Sequence, residues 1–311
     1  ISKIMFGKKA KKLIKQEQKI NNKIKKIKNH QKWALTATKY CNPIELNELL
    51  KIDYHEIQKC IRGEKNDNIR DFDKNSKMVI GDLGGITFVD YFTNTFSYIK
   101  DIKKLEKDFI TMMKLMKQLF EGLVIMKKNN IIHNDIKYDN ILLHDKVFKL
   151  IDFGLSGVSS NINHFKNRSS LEKKSSRFYI WYPLEYIFND ITNKEIDDEI
   201  YRLQSSNARK GTDLLDIINN IYGRKQIDLF MEYYHKKPIH MKELIKGIDS
   251  YSLGIMIPAL FLTKTNINFP FEHSKKIKDF YILFGKMIEP DYRNRISAEN
   301  ILKEYNRILR N

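Results

Sequence analysis

Between residues 131 and 154 the chain sets short apolar runs around loops crowded with ionisable and amide side chains, a combination that few folds accommodate. Ile131 and Ile132 precede the octapeptide His133-Asn134-Asp135-Ile136-Lys137-Tyr138-Asp139-Asn140. Ile141, Leu142 and Leu143 follow, then a strand-like run at 147–151, then Asp152, Phe153 and Gly154. The segment reads as loop, strand, turn, strand, with Asp135, Lys137, Asn140 and Asp152 carried on its loops. Those are the groups needed to move a phosphoryl group. Metal ions must be held against phosphate oxygens, a carboxylate must meet the attacking hydroxyl, and a cation must stand near the transferred group.

With 311 residues, 42% of them apolar and 30% charged, the chain can bury one large core or form two lobes sharing a ligand cleft. Its two cysteines, Cys41 and Cys60, match neither a metal knuckle nor a disulfide framework, so reduced thiols and an intracellular, cytoplasmic setting are expected. The longest apolar stretch, residues 253–262, is too short to span a bilayer and contains Pro258, which implies a buried helix rather than a transmembrane segment. The opening at Ile1 is neither a signal nor a transit peptide, and the expectation is that residues ahead of it are missing. A formal charge of +18 would suit a nucleic-acid partner. Lysine, isoleucine and asparagine are abundant throughout, however, as in an AT-rich genome, and nucleic acid is not expected as the primary partner.

Residues 8–28 are lysine-rich, yet Ala10, Leu13, Glu17, Ile20, Ile24 and Ile27 recur every three or four positions, which predicts a helix with Glu17 on its inward face. Residues 33–41 and 78–80 read as strands, separated by the polar segment 63–77. Gly81, Gly84 and Gly85 then form a connector. One long helix is predicted around the stripe Phe109, Met112, Met116, Leu119, Phe120 and Leu123, and the chain beyond Pro183 reads as mostly helical.

The octapeptide at 133–140, followed twelve residues after Asn140 by Asp152-Phe153-Gly154, resembles the protein kinase superfamily. The resemblance implies an α+β fold of two lobes. Residues 1–82 would form a small antiparallel-sheet lobe, and residues 83–311 a large, mainly helical lobe with an insertion at about 186–248. By the same resemblance, Asp135 would accept the proton of the substrate hydroxyl and Lys137 would steady the γ-phosphate of ATP. Asn140 and Asp152 would hold Mg2+, and His133 would be a scaffold residue. Ile1-Ser2-Lys3 resembles the family's AxK strand, making Lys3 the contact to the α- and β-phosphates and Glu17 its ion-pair partner. Residues 78–85 resemble the strand and hinge that carry the adenine, with Ile80 near the gatekeeper and Asp82 and Leu83 supplying backbone groups. Tyr182-Pro183-Leu184-Glu185 and the segment 249–254 resemble two further motifs, which implies a Glu185–Arg295 pair and an Asp249 that braces the 133–140 loop.

Departures from the family pattern shape the remaining expectations. No glycine-rich loop precedes Lys3, so the chain reads as cut before the third strand of the small lobe. Asn134 stands where many regulated kinases carry the arginine that pairs with an activation-loop phosphate, so phosphorylation is not expected to be the main switch. Residues 155–182, with Ser169, Ser170, Ser175 and Ser176, read as a solvated serine-rich loop. Lys137 two residues after Asp135, with the motifs at 182–185 and 249–254, favours a serine/threonine protein substrate. A pseudokinase scaffold, a small-molecule kinase of the aminoglycoside or choline type and a basic nucleic-acid-binding relic are the alternatives. The composition and the inserted segment resemble kinases of large DNA viruses, with an AT-rich protist as the other source. No residue pattern assigns an oligomeric state.

Overall fold

Short strands rich in β-branched and long apolar residues meet one amphipathic helix at the start of the chain. The computed structural model describes residues 2–5, 10–43, 45–52, 76–81, 84–99, 101–174, 180–187, 239–265 and 274–310. β1 (Ser2–Met5), α1 (Ala10–Lys25), β2 (Lys39–Cys41), α2 (Leu46–Ile52) and β3 (Lys77–Ile80) come first. β3 is the middle strand of an antiparallel sheet ordered β1-β3-β2, and both Lys3 and Tyr40 pair with Val79 across it. Ile14 of α1 packs on Val79 and Ala37. This corrects the predicted helix face, because Leu13 is 37% exposed and the buried series runs Ile14, Glu17, Ile20, Asn21, Ile24. Leu13 and Ile14 are both apolar, and a step of 100° decides which one meets the sheet.

The predicted strand at 33–41 forms only at its end. His30–Lys32 make a 3-10 turn, and Trp33 is buried in the helical part, its ring so close to Gly122 that a Cβ there would lie 3.2 Å away. The backbone of this stretch joins the chain further on: Leu150 N donates to Trp33 O (2.8 Å) and Leu35 N to Leu150 O (2.9 Å). The polar segment lies outside the described residues up to residue 75. Asp82 and Leu83, where the expected lobe boundary falls, lie outside them too.

The larger part begins with β4 (Ile86–Thr87) and α3 (Phe88–Phe96), whose first turn is capped by the Thr87 side chain accepting from Asp90 N. α4 (Ile102–Leu115) and α5 (Lys117–Lys128) take the place of the single predicted helix. They meet at Met116, while the predicted stripe of Phe109, Met112, Met116, Leu119, Phe120 and Leu123 is buried as expected. β5 (Ile131–Ile132), β6 (Ile141–His144), β7 (Val147–Leu150) and β8 (Gly157–Val158) follow, forming a sheet ordered β4-β6-β7 and a separate β5-β8 pair. α6 (Ile162–Lys174) corrects the solvated-loop expectation: Phe165 and Ser169 are buried, and the Ser169 hydroxyl donates to Tyr186 O at 2.6 Å. Ser175 and Ser176 lie outside the described residues, as do positions 188–238 of the expected insertion.

Five further α-helices follow among the described residues: α7 (Leu184–Ile187), α8 (Met241–Leu244), α9 (Ile248–Lys264), α10 (Lys275–Met287) and α11 (Ala298–Arg310). The stretch Met241–Lys264 is long and apolar enough to cross a membrane, but nearly all of it is buried by the surrounding helices, as a core helix would be. Phe261 of α9 meets Phe92 and Phe96 with ring centres 4.8 and 5.2 Å apart, tying α3 to α9. A small antiparallel sheet with a packed helix, joined to a larger helical part, is the α+β architecture expected.

Glu185 at the start of α7 and Arg295 ahead of α11 form a buried ion pair, with Arg295 Nη2 also donating to Glu289 O at 2.7 Å. Burial pushes the Glu185 carboxyl above its usual range, opposed by the Arg295 guanidinium. A charge left here without its partner is costly. Arg295→Met should therefore destabilise the fold by about 3–5 kcal/mol in urea denaturation, and adding Glu185→Met should restore most of the loss. A double variant as unstable as the single one would show that the pair does not act as a unit.

Candidate active site

The 133–140 loop leaves β5 through Asn134, whose φ of 59° lies in the left-handed region that asparagine tolerates. Its backbone is held from below by α9. His133 N donates to Asp249 Oδ2 at 2.7 Å and Asn134 N to Asp249 Oδ1 at 2.9 Å. Burial pushes the Asp249 carboxyl upward, and the His133 side chain and the two N–H donors oppose that shift. Tyr182 OH donates to Asn134 O at 2.6 Å, and Ser156 Oγ to His133 O at 2.9 Å. His133 Nε2 lies 3.0 Å from Ile151 O, which can only accept, so that nitrogen carries the hydrogen. The ring rests against Phe153 with centres 4.7 Å apart. His133 thus stands where a scaffold residue would.

Three of the predicted polar residues meet directly. Asn140 Nδ2 donates to both Asp135 Oδ2 (2.7 Å) and Asp135 O (2.8 Å), and Lys137 Nζ lies 3.5 Å from Asp135 Oδ2. Asp152 joins them through the backbone, since Ile151 N donates to Asn140 O at 3.0 Å. Asp152 itself has φ 57°, and its carboxylate accepts from Gly154 N at 3.2 Å, which turns the chain sharply at this point.

Asp152, but none of Asp135, Lys137 and Asn140, also lines a cavity of about 270 Å³. Its walls are Glu17 and Asn21 of α1, Leu35 to Ala37, Val79 and Gly81, Leu142 of β6, and Ile151 to Phe153. Glu17 is buried at 3% exposure and faces the cavity, as its helical spacing predicts. Ile80 is corrected. Val79 and Gly81 on either side of it form the wall, because alternate residues of a strand face opposite ways, while Ile80 O accepts from Thr38 N (2.7 Å) and Thr38 Oγ1 (3.0 Å). Lys3 is placed by its backbone, opposite Val79. Asp82 and Leu83 lie outside the described residues.

Leu142 and Asn21 are cavity residues that the sequence reading passed over. Asn21 sits one turn after Glu17, and that i+4 spacing was the available signal. Its Nδ2 donates to Tyr40 OH at 2.6 Å, and burial pushes the Tyr40 hydroxyl up to about 12.

Among the described residues no cluster of three or more His, Cys, Asp or Glu side chains could hold a metal ion. The donors that do exist suit a hard cation shared with a ligand. With Asn140 Nδ2 committed to Asp135, its Oδ1 and the Asp152 carboxylate are oxygen donors, and Mg2+ is commonly bound by one or two such groups together with phosphate and water. The residues present therefore fit Mg2+.

Comparison with known proteins agrees with this geometry. The protein kinase domain family matches residues 9–180. A candidate serine/threonine-protein kinase of Acanthamoeba polyphaga mimivirus is 31% identical over 201 residues, covering 61% of this chain and 32% of its own length. A second such mimivirus chain is 37% identical over 101 residues, covering 30% of this chain and 33% of its own. Calcium-dependent protein kinase 4 of Plasmodium berghei is 28% identical over 181 residues, covering 50% of this chain and 32% of its own. The chain thus spans about a third of the length of the curated relatives it matches. The family match runs from α1 past the 133–140 loop and Asp152 and covers more than half of the sequence, so the chain belongs to the protein kinase domain family.

Proposed function

We propose that this chain transfers the γ-phosphate of ATP to serine or threonine hydroxyls of proteins. The observation that carries the reading is the carboxylate of Asp135, fixed by Asn140 and Lys137 on a loop whose Asn140 is bonded through its backbone to Ile151, next to the Asp152 that lines the cavity. Asp135 orients the substrate hydroxyl and accepts its proton as the new oxygen–phosphorus bond forms and the bond from the γ-phosphorus to the β,γ-bridging oxygen breaks, leaving ADP. Lys137 steadies the γ-phosphate. Bound Mg2+ would neutralise phosphate charge, held by Asn140 and Asp152. The kinase resemblance assigns Lys3 to the α- and β-phosphates and Glu17 as its ion-pair partner. Ala37, Val79 and Leu142 give the adenine apolar walls.

Protein substrates, and serine or threonine over tyrosine, are supported by the position of Lys137 and by the names of the relatives. Similarity to two mimivirus chains supports a large DNA virus as the source. Dependence on ATP fits an intracellular setting, in host cytoplasm or virion.

Radiolabelled ATP, Mg2+ and a generic basic protein provide the test. Asp135→Asn should lower the transfer rate by roughly two to four orders of magnitude while leaving the fold intact. Acid hydrolysis should recover label on phosphoserine or phosphothreonine. Label on tyrosine alone, or on an aminoglycoside or choline and no protein, would reject the reading. In a separate measurement, Asp152→Ala should remove Mg2+-dependent nucleotide binding, and retention of that binding would remove Asp152 from the metal site.

A further inference from the structure

Ser156, at the head of β8, is bonded on both sides. Its hydroxyl donates to His133 O (2.9 Å), and its own carbonyl accepts from Gln16 Nε2 of α1 at 3.1 Å. Gln16 immediately precedes Glu17, so α1 is tied at this point to the strand that supports the catalytic loop. The same amide nitrogen of Gln16 lies 3.1 Å from His164 Nδ1 and 3.3 Å from His164 Nε2. His164, in the first turn of α6, has a second partner: its Nε2 is 3.0 Å from Leu155 O. A carbonyl oxygen only accepts, so Nε2 carries the hydrogen toward Leu155 O, and the near-equal distances to the two ring nitrogens set the Gln16 amide over the face of the imidazole. Both hydrogens of the Gln16 amide are then used, one on Ser156 O and one on the ring of His164.

The fit of the ring is close. A Cβ on Gly157 would lie 2.7 Å from His164 Cδ2 and 3.0 Å from Phe165 Cζ, so glycine at 157 is what lets α6 sit against β8. Phe165 is buried and accepts at its carbonyl from Tyr186 OH at 3.0 Å, which anchors the far side of α6. Asn134, at the position where a phosphate-pairing arginine would stand, is buried and uncharged, and its Nδ2 reaches Leu155 O at 3.5 Å. Gln16 and His164 thus join α1 to the segment after Asp152 through hydrogen bonds of an amide and an imidazole.

From this geometry we infer that Gln16 and His164 are positioning residues, a latch that needs no phosphate and holds α1 against the turn after Asp152, keeping Glu17 on the wall of the nucleotide cavity. The inference rests on the kinase reading for its consequence and on the contacts alone for its existence. Losing the latch frees α1 to move away from the cavity, so it weakens nucleotide binding more than it slows the transfer step.

Two readouts separate the latch from the activity. Backbone hydrogen exchange of α1 and the affinity for Mg2+·ATP are measured in the full chain and in Gln16→Ala, His164→Ala, the double variant, Gly157→Ala and His164→Gln, with the exposed Asn163→Ala as control. Each alanine variant at 16, 164 or 157 should exchange faster in α1 and bind nucleotide roughly five- to tenfold more weakly, the effect of losing about one hydrogen bond. The double variant should lose less than the sum of the two single losses, because the Gln16–His164 contact is common to both, while Gln16→Ala also loses the bond to Ser156 O that His164→Ala keeps. His164→Gln, which keeps an acceptor and a donor, should recover most of the affinity. If the wild type proves unable to transfer phosphate, the exchange and affinity readouts still decide the latch. Unchanged exchange and affinity in His164→Ala, additive losses in the double variant, or faster phosphate transfer in either single variant would overturn it.

Discussion

Two backbone N–H groups of a buried loop must find acceptors, and the Asp249 carboxylate supplies both. Without it, His133 and Asn134 would place unpaired donors in a dry interior, at a cost of about 1–3 kcal/mol each. The left-handed turn at Asn134 then directs Asp135 upward from β5, where Asn140 and Lys137 can reach its carboxylate. Asp249 belongs to α9, the most deeply buried helix described, and α9 is fixed in turn by the aromatic packing of Phe261. A functional loop without regular structure thus takes its rigidity from the most rigid element of the fold.

The same economy of contacts joins the small sheet to the large part. Trp33 and Leu35 exchange backbone hydrogen bonds with Leu150, and β7 runs directly on to Ile151 and Asp152. α1 reaches the turn after Asp152 through Gln16, and the cavity through Glu17 and Asn21. Both walls of the cavity are therefore tied to the residues flanking Asp152. A shift of α1 would reshape the cavity without touching Asp135, which is why nucleotide affinity and the chemical step should respond differently to changes there.

Much of the site could be read from the sequence because chemistry fixes the spacing of its parts. Asp135, Lys137 and Asn140 must share one short loop, and Glu17 declared itself through a helical period that continued across a polar residue. What could not be read depended on partners distant in sequence. Leu13 and Ile14 differ only in which one meets Val79 and Ala37. The one-residue difference between Ile80 and Val79 at the cavity wall is a strand-register question, and local pattern does not settle it. Residues 162–174 carry weak helical character of their own, and Phe165 and Ser169 commit them to a helix by packing and bonding against Tyr186. Trp33 favours strands by propensity, yet the slot opposite Gly122 takes it out of the sheet.

The central claim is that nucleotide occupies the cavity between α1, β3 and β6. Calorimetric titration with a non-hydrolysable ATP analogue, with and without Mg2+, tests it when wild type is compared with Ala37→Trp, a substitution that fills the cavity from its wall. The account predicts Mg2+-dependent binding to the wild type and none to a folded Ala37→Trp. Equal binding by both would contradict it, since the nucleotide would then sit elsewhere on the protein.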